Sequence, residues 1–177
     1  MLTHAFLEDF LRTLAETFLP YADEQILNSI PLAGLDGRAD KFPLGKLAQH
    51  RGKSVESVIR ESVRQHLKKS TYNNLQEIIS LLEKLGFDAS GQKENFSKIA
   101  AMIKRRHQIV HHGDMVKKEA SKTLTVVRVN VFEVIEWVQA TSDFMYALFP
   151  SVAHRKIDLQ LERKVMRAKT RKIIRLR

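Results

Sequence analysis

Residues 105–114 read Arg-Arg-His-Gln-Ile-Val-His-His-Gly-Asp. Three of the chain's seven histidines, His107, His111 and His112, fall within six positions, directly behind Arg105 and Arg106. Histidine titrates near neutral pH and serves as acid or base. A guanidinium matches phosphoryl oxygens in a bidentate way. These residue types suit cleavage of a phosphodiester, which needs a base, an acid and a cation for a crowded, negative transition state. His107 and His111 also have the spacing of a helical zinc pair. A zincin, however, needs glutamate where Gln108 stands, and no obvious third ligand follows beyond Asp114. No metal or other cofactor is expected.

Positioning these groups falls to a helix read over about 94–112, with Gly113 as its C-terminal stop. At about 100° per residue, Phe96, Ile99, Met102, Ile103, Ile109 and Val110 share one arc. Arg106 falls inside that arc. An unpaired guanidinium there would cost several kcal/mol, so Arg106 must have a partner, face a cleft or lie at a subunit interface. His107 sits at the edge of the arc, with His111 one turn further on the same side. Arg105 and His112 point away from it and read as solvent-facing. Arg106 and His111 are about 140° apart on an ideal helix, so one copy does not place them on one face.

Helical periodicity continues along nearly the whole chain. Phe6, Leu7, Phe10, Leu11, Leu14 and Phe18 predict a first helix ending at Pro20, and residues 21–30 a short second one. Pro31 to Pro43 is a loop with an Asp36-Gly37 turn. Leu44, Leu47 and Ala48 begin a helix that Gly52 interrupts, and Ser54 caps the next, with its stripe at Val55, Val58, Ile59, Ser62, Val63 and Leu67. Asn73-Asn74-Leu75-Gln76 is a capping-box pattern opening a helix that stops at Gly86. Thr123 to Val129 is β-branched and extended, either an isolated strand or a connecting arm. Asn130 with Glu133 forms a second capping box. The helix behind it repeats Val131, Val134, Ile135, Val138, Thr141, Met145 and Leu148 and ends at Pro150. Trp137 on it belongs to the core or to a dimer interface. The expected fold is all-α, an up-and-down bundle of six or seven helices over 1–150, followed by a basic C-terminal tail over 151–177 that projects as a helix.

Composition narrows the function classes. The chain has 177 residues, 44% of them hydrophobic, which suits one domain with a real core. It has no cysteine, which excludes disulfide frameworks and Cys-ligated metal sites. No apolar run reaches the length of a membrane span, and Glu8 and Asp9 stand where a signal peptide would be apolar. A cytoplasmic protein is expected. Of the net charge of +10, residues 155–177 carry ten Lys/Arg against Asp158 and Glu162. That asymmetry points to a polyanionic partner. Arg163, Lys164, Arg167, Arg171 and Lys172 are the candidate RNA contacts of the tail, without interleaved aromatics that would stack on bases.

Arg106, a polar residue at 107, three residues and then His111, at the end of a helix in an all-α chain, resembles the R-x(4–6)-H motif of the HEPN superfamily. Arg-Arg-His-x-Ile-Val-His followed by Asp, then an extended stretch and a long amphipathic helix, resembles its RiboL-PSP-like branch. Phe6-Leu7-Glu8-Asp9-Phe10-Leu11 is similar to that family's first helix, which often carries an acid beside an aromatic. The resemblance covers about 1–150. It implies a metal-independent endoribonuclease that leaves 2′,3′-cyclic phosphate and 5′-hydroxyl ends, acting as a toxin or host-defence effector. His111 would be the general acid/base, Arg106 the transition-state clamp, and His107 the group that orients the phosphate or His111. Arg105 and His112 would touch RNA, and Glu8, Asp9 and Asp114 would support the site. HEPN nucleases typically pair their motifs across a two-fold axis, so a homodimer follows from the resemblance as well as from the helical wheel. An antitoxin or regulatory protein is a further expected partner. The alternative is a non-catalytic HEPN-like module that binds RNA or protein.

Overall fold

The computed structural model describes residues 2–34, 44–112, 115–117, 124–126 and 129–175. Among them are six α-helices: α1 Leu2–Phe18, α2 Glu24–Leu27, α3 Val55–Lys69, α4 Leu75–Lys84, α5 Lys93–His112 and α6 Val131–Arg175. Three 3-10 segments, Leu19–Tyr21, Leu44–His50 and Ser90–Gln92, join or extend them. The fold is an all-α helical bundle, as the periodicity predicts. Strands β1 Met115–Lys117 and β2 Leu124–Val126 pair antiparallel, with Val116 opposite Thr125. The extended stretch near 124 is therefore neither isolated nor a bare arm. It is half of a hairpin whose other strand is too short to show a period. Gly113, Asp114 and the Asp36-Gly37 turn lie outside the described residues.

Helix boundaries follow local chemistry. Ser54 accepts a hydrogen bond from the Ser57 N–H at 3.2 Å and starts α3. The box at α4 is one residue later than the pattern suggests: Asn74, not Asn73, is the cap and accepts from the Glu77 N–H at 2.9 Å. Glu77 in return accepts from the Asn73 N–H at 2.8 Å and the Asn74 side-chain amide at 2.7 Å. Because Asn74 takes the capping role, the Asn73 side chain is left for other work. At the far end of α4, Gly86 takes φ +73, and Phe87 N–H reaches Leu82 O while Gly86 N–H reaches Glu83 O, both at 2.9 Å. This is a Schellman closure, which a glycine at that position permits without strain. The second helix shrinks to α2, a single turn, and Asn130 caps α6 through the Phe132 N–H at 3.0 Å.

The core joins Leu7, Leu11 and Phe18 of α1, Val63 and Leu67 of α3, Ile78 and Leu82 of α4, Ile99 and Ile103 of α5, and Phe144 and Leu148 of α6. Phe96 and Phe144 lock α5 to α6, with ring centroids 5.4 Å apart. Arg12 of α1 donates to the terminal carbonyls of α3, Leu67 O at 3.0 Å and Ser70 O at 3.4 Å, and so closes that helix end with a cation.

Two sequence expectations fail on α6. The helix does not end at Pro150 but runs 45 residues to Arg175, about 68 Å at 1.5 Å per residue. Leu148 is buried before the proline, and Val152 and Leu159 pack on the core after it. Packing on both sides overrides the local loss of one N–H donor. The apolar stripe read from the sequence meets the core only in its second half, at Thr141, Met145 and Leu148. Ala140, Thr141, Phe144 and Leu148 face the core, whereas Val131, Val134, Ile135 and Val138 are exposed. Trp137 is half-buried and packs against the core.

Candidate active site

α5 presents the Arg-His segment in its last two turns. Phe96, Ile99, Met102 and Ile103 anchor that helix in the core, which fixes the direction of the residues that follow. Arg106 is half-buried, and its Nη1 donates to Asn73 Oδ1 at 3.1 Å. Among the described residues its hydrogen-bond partner is thus a neutral amide, which orients the guanidinium without cancelling its charge.

Behind Arg106 lies a polar group that sequence reasoning missed. His4 of α1 is 1% exposed. Its Nε2 faces Tyr72 O at 3.3 Å and its Nδ1 lies 3.5 Å from Glu8 Oε2. Glu8 also accepts from the Tyr72 N–H at 3.5 Å. Burial holds the His4 imidazole below its ordinary range; the Glu8 carboxylate works against that and the Arg106 charge reinforces it. Arg106 therefore sits at a junction of α1, the 72–74 turn and α5. Position 4 carries no visible signal for this role. Residue 73 does, since an asparagine just outside a cap has a free side-chain amide.

His107 and His111 lie on the outer side of α5, both exposed, with ring centroids 4.3 Å apart and planes at 44°. The two rings meet at a tilt, as residues four apart on a helix are neighbours. No described contact joins Arg106 to either ring. Arg106 turns inward towards Asn73 while the imidazoles turn to solvent.

Arg105 departs from expectation. It is 9% exposed, and its Nη1 donates to Gln108 Oε1 at 3.5 Å. The buried face of α5 continues from Met102 to position 105, three residues on, rather than to Val110, which is 49% exposed. A long aliphatic stem lets arginine line a core while its head is hydrogen-bonded. It is not solvent-facing.

Glu8 is half-buried in the His4–Tyr72 group and Asp9 is exposed. The side chain of His112, and Asp114, lie outside the described residues, as do the side chains of Arg167, Arg171 and Lys172. Lys164 is exposed on α6. Arg163 is not a free tail cation, because its Nη2 donates to Glu56 Oε1 of α3 at 2.7 Å. A cleft of about 500 Å³ borders Tyr72 and Asn74 with Ile30, His66 and Lys84, but Arg106 and the two histidines do not line it. His107 and His111 themselves stand exposed on α5. Among the described residues no three His, Asp or Glu side chains converge as metal ligands do, and no helix is long and apolar enough to cross a membrane.

A family model described as RiboL-PSP-HEPN matches residues 1–149. The chain belongs to the RiboL-PSP-HEPN family. The match takes in α1 to α5, the hairpin and the part of α6 before Pro150, and so includes every group placed around Arg106. At the family level, this RiboL-PSP-HEPN chain is a HEPN-type nuclease or a related module. No curated protein and no solved structure matches it.

Proposed function

We propose that this protein is a metal-independent endoribonuclease of the cytoplasm, working as a homodimer. One observation carries the reading: a guanidinium held by a neutral amide and a pair of exposed imidazoles in contact with one another occupy the same two turns of α5. RNA supplies its own nucleophile, the 2′-OH beside each phosphate. A base takes that proton, the 2′-oxygen attacks phosphorus, the bond to the 5′-oxygen breaks, and an acid protonates the leaving oxygen. The ends are a 2′,3′-cyclic phosphate and a 5′-hydroxyl. His111 is the acid/base group, and Arg106 clamps the phosphoryl oxygens as charge develops. His107, in contact with the His111 ring, orients it.

The inward turn of Arg106 and the outward turn of His111 support a second copy as the completing part. In a two-fold dimer the two copies of His111 divide the base and acid roles. The surface of α6 supports the same reading. Val131, Ile135, Val138, Tyr146, Phe149 and Ile157 fall within about 100° of arc, and each is at least 45% exposed. Apolar side chains in so long a line mark a covered surface rather than scattered exposures. The biological setting we infer is a toxin or host-defence effector restrained by an antitoxin, with Lys164 and the basic end of α6 adding phosphate contacts.

The test is cleavage of labelled RNA by the purified protein in EDTA. The reading expects cyclic-phosphate ends with chelator present and loss of cleavage in Arg106→Ala and His111→Ala. Activity that disappears in EDTA, or persists in both variants, refutes it. The absence of a contact between Arg106 and the imidazoles among the described residues of one chain favours one alternative, a non-catalytic module that binds RNA or a protein. It expects salt-sensitive RNA binding without cleavage.

A further inference from the structure

A second charged site lies on the far side of α1. Tyr21, in the 3-10 turn after α1, meets Arg60 and Arg64 of α3 and Lys156 and Arg163 of α6 around a cleft of about 320 Å³, floored by Thr13, Thr17 and Leu159. The guanidinium carbons of Arg60 and Arg163 stand 5.2 and 5.7 Å from the Tyr21 ring centroid. One carboxylate oxygen, Glu56 Oε1, accepts from Arg163 Nη2 at 2.7 Å, Arg60 Nη2 at 3.1 Å and the Tyr21 hydroxyl at 3.3 Å. Arg60 also donates to the Tyr21 hydroxyl. Among the described contacts neither Arg64 nor Lys156 has an ion-pair partner, and both are exposed. Arg60 and Arg163 thus pair with Glu56, and four cations stand against two carboxylates, Glu56 and Glu16 on the rim, which leaves a surplus of two positive charges.

We propose that this cleft binds a phosphate group carrying two or more negative charges. A fork of guanidiniums with an ammonium beside it matches phosphoryl oxygens, and the surplus matches a terminal phosphate or pyrophosphate more closely than a single phosphodiester. The Tyr21 ring is taken up by cations, so it offers no platform for a base. The cations also work against one another. Partial burial, then the charges of Arg163 and Arg64, lower the Arg60 guanidinium from its ordinary range, a conflict that an anion relieves. The volume lies at the lower end of small-ligand pockets. Lys156 and Arg163 come from the part of α6 beyond Pro150, so the site exists only because the helix continues and lies back on α1 and α3.

The cleft is separate from the Arg106 junction. Thr17 lies thirteen residues beyond His4 on α1, about 20 Å along the axis and about 140° round it. The proposal therefore stands whether or not the protein cleaves RNA. Its test is titration of the full chain with pyrophosphate by calorimetry. One saturable site per chain is expected, weakened about ten-fold or more in R64A/K156A, since each change removes a charge-assisted contact. Both replaced side chains are exposed, and a circular dichroism melt checks the fold; R64E alone is the second variant and weakens binding in the same direction. R106A/H111A leaves the affinity unchanged. Competition by an RNA oligomer with a 5′-phosphate, but not with a 5′-hydroxyl, identifies a strand end as the source. Pyrophosphate binding that neither oligomer displaces identifies a free polyphosphate. No saturable binding to the wild type, equal affinity in R64A/K156A, or loss in R106A/H111A overturns the proposal.

Discussion

Replacing Asn73 by alanine removes the amide that holds the Arg106 guanidinium and leaves the surrounding framework in place. The Asn73 N–H still donates to Glu77, and Asn74 remains the cap of α4. Arg106 gives up one charge-assisted hydrogen bond, 3.1 Å long and partly exposed. Such bonds contribute about 1.5–3 kcal/mol, and solvent screening favours the lower end. If the guanidinium must be fixed only as charge develops on phosphorus, the penalty falls on the transition state. At about 1.4 kcal/mol per decade, kcat should drop about ten-fold with KM nearly unchanged. Stability should fall by about 1–1.5 kcal/mol, a Tm shift of about 2–6 °C. Asn73→Asp is the companion variant. It keeps Arg106 in place but neutralises it, so activity should fall further while Tm is held. The assay is single-turnover cleavage of a labelled RNA in EDTA, with a circular dichroism melt on each variant. Wild-type kcat in Asn73→Ala, or an effect carried by KM alone, would falsify the role assigned to this hydrogen bond.

Three further outcomes are expected. Ile135→Asp with Tyr146→Asp should convert a dimer to a monomer on light scattering and abolish cleavage, because both side chains lie in the exposed line on α6; a monomeric wild type sinks this idea. Pro150→Ala should stabilise the protein by about 2 kcal/mol, raising Tm by about 4–8 °C, since it restores an N–H donor and removes a ring clash at some cost in chain entropy, and a lower Tm would show that the proline shapes the packing of α6. The third concerns pH. His4 in the folded protein binds its proton less readily than in the unfolded chain, so its contribution is complete above its ordinary value near 6.5 and is lost as pH falls below it. The groups that face it are Glu8, Arg106 and the Tyr72 carbonyl. Urea midpoints should drop between pH 7.5 and 5.5, and less so in His4→Gln; equal drops in the two proteins count against the account. His66, lowered by burial and then by Lys84, has the same sign and leaves a residual slope.

Much of this protein is written in its local sequence. Helix starts and stops at Ser54, near Asn74 and at Gly86 are decided by a few side chains next to the backbone groups they satisfy. The motif around Arg106 and His111 is legible for the same reason, being contained in two turns of one helix. What the helical wheel misjudges is rotation. Arg106 and Arg105 differ by one step of about 100°, and the arc fitted to Ile109 and Val110 turns the buried face away from Arg105. On α6 before Pro150 the apolar positions spread over two overlapping arcs, so a period of 3.6 fits either of them. Only the placement of Phe96 against Phe144 decides which one faces inward.

The sequence by itself therefore determined the helical class, the helix ends at Ser54 and Gly86, the family motif and the charge asymmetry, all set by interactions within a few residues. The tertiary structure decided the rest. It brought His4 and Glu8 of α1 and Asn73 of the 72–74 turn to Arg106 of α5, buried Arg105, carried α6 through its proline, and set Arg163 against Glu56 and Tyr21. Each of these depends on which surfaces of separate helices meet. Free energy gained by packing apolar area between distant segments outweighs the local preference of any one residue, and no spacing along the chain records it.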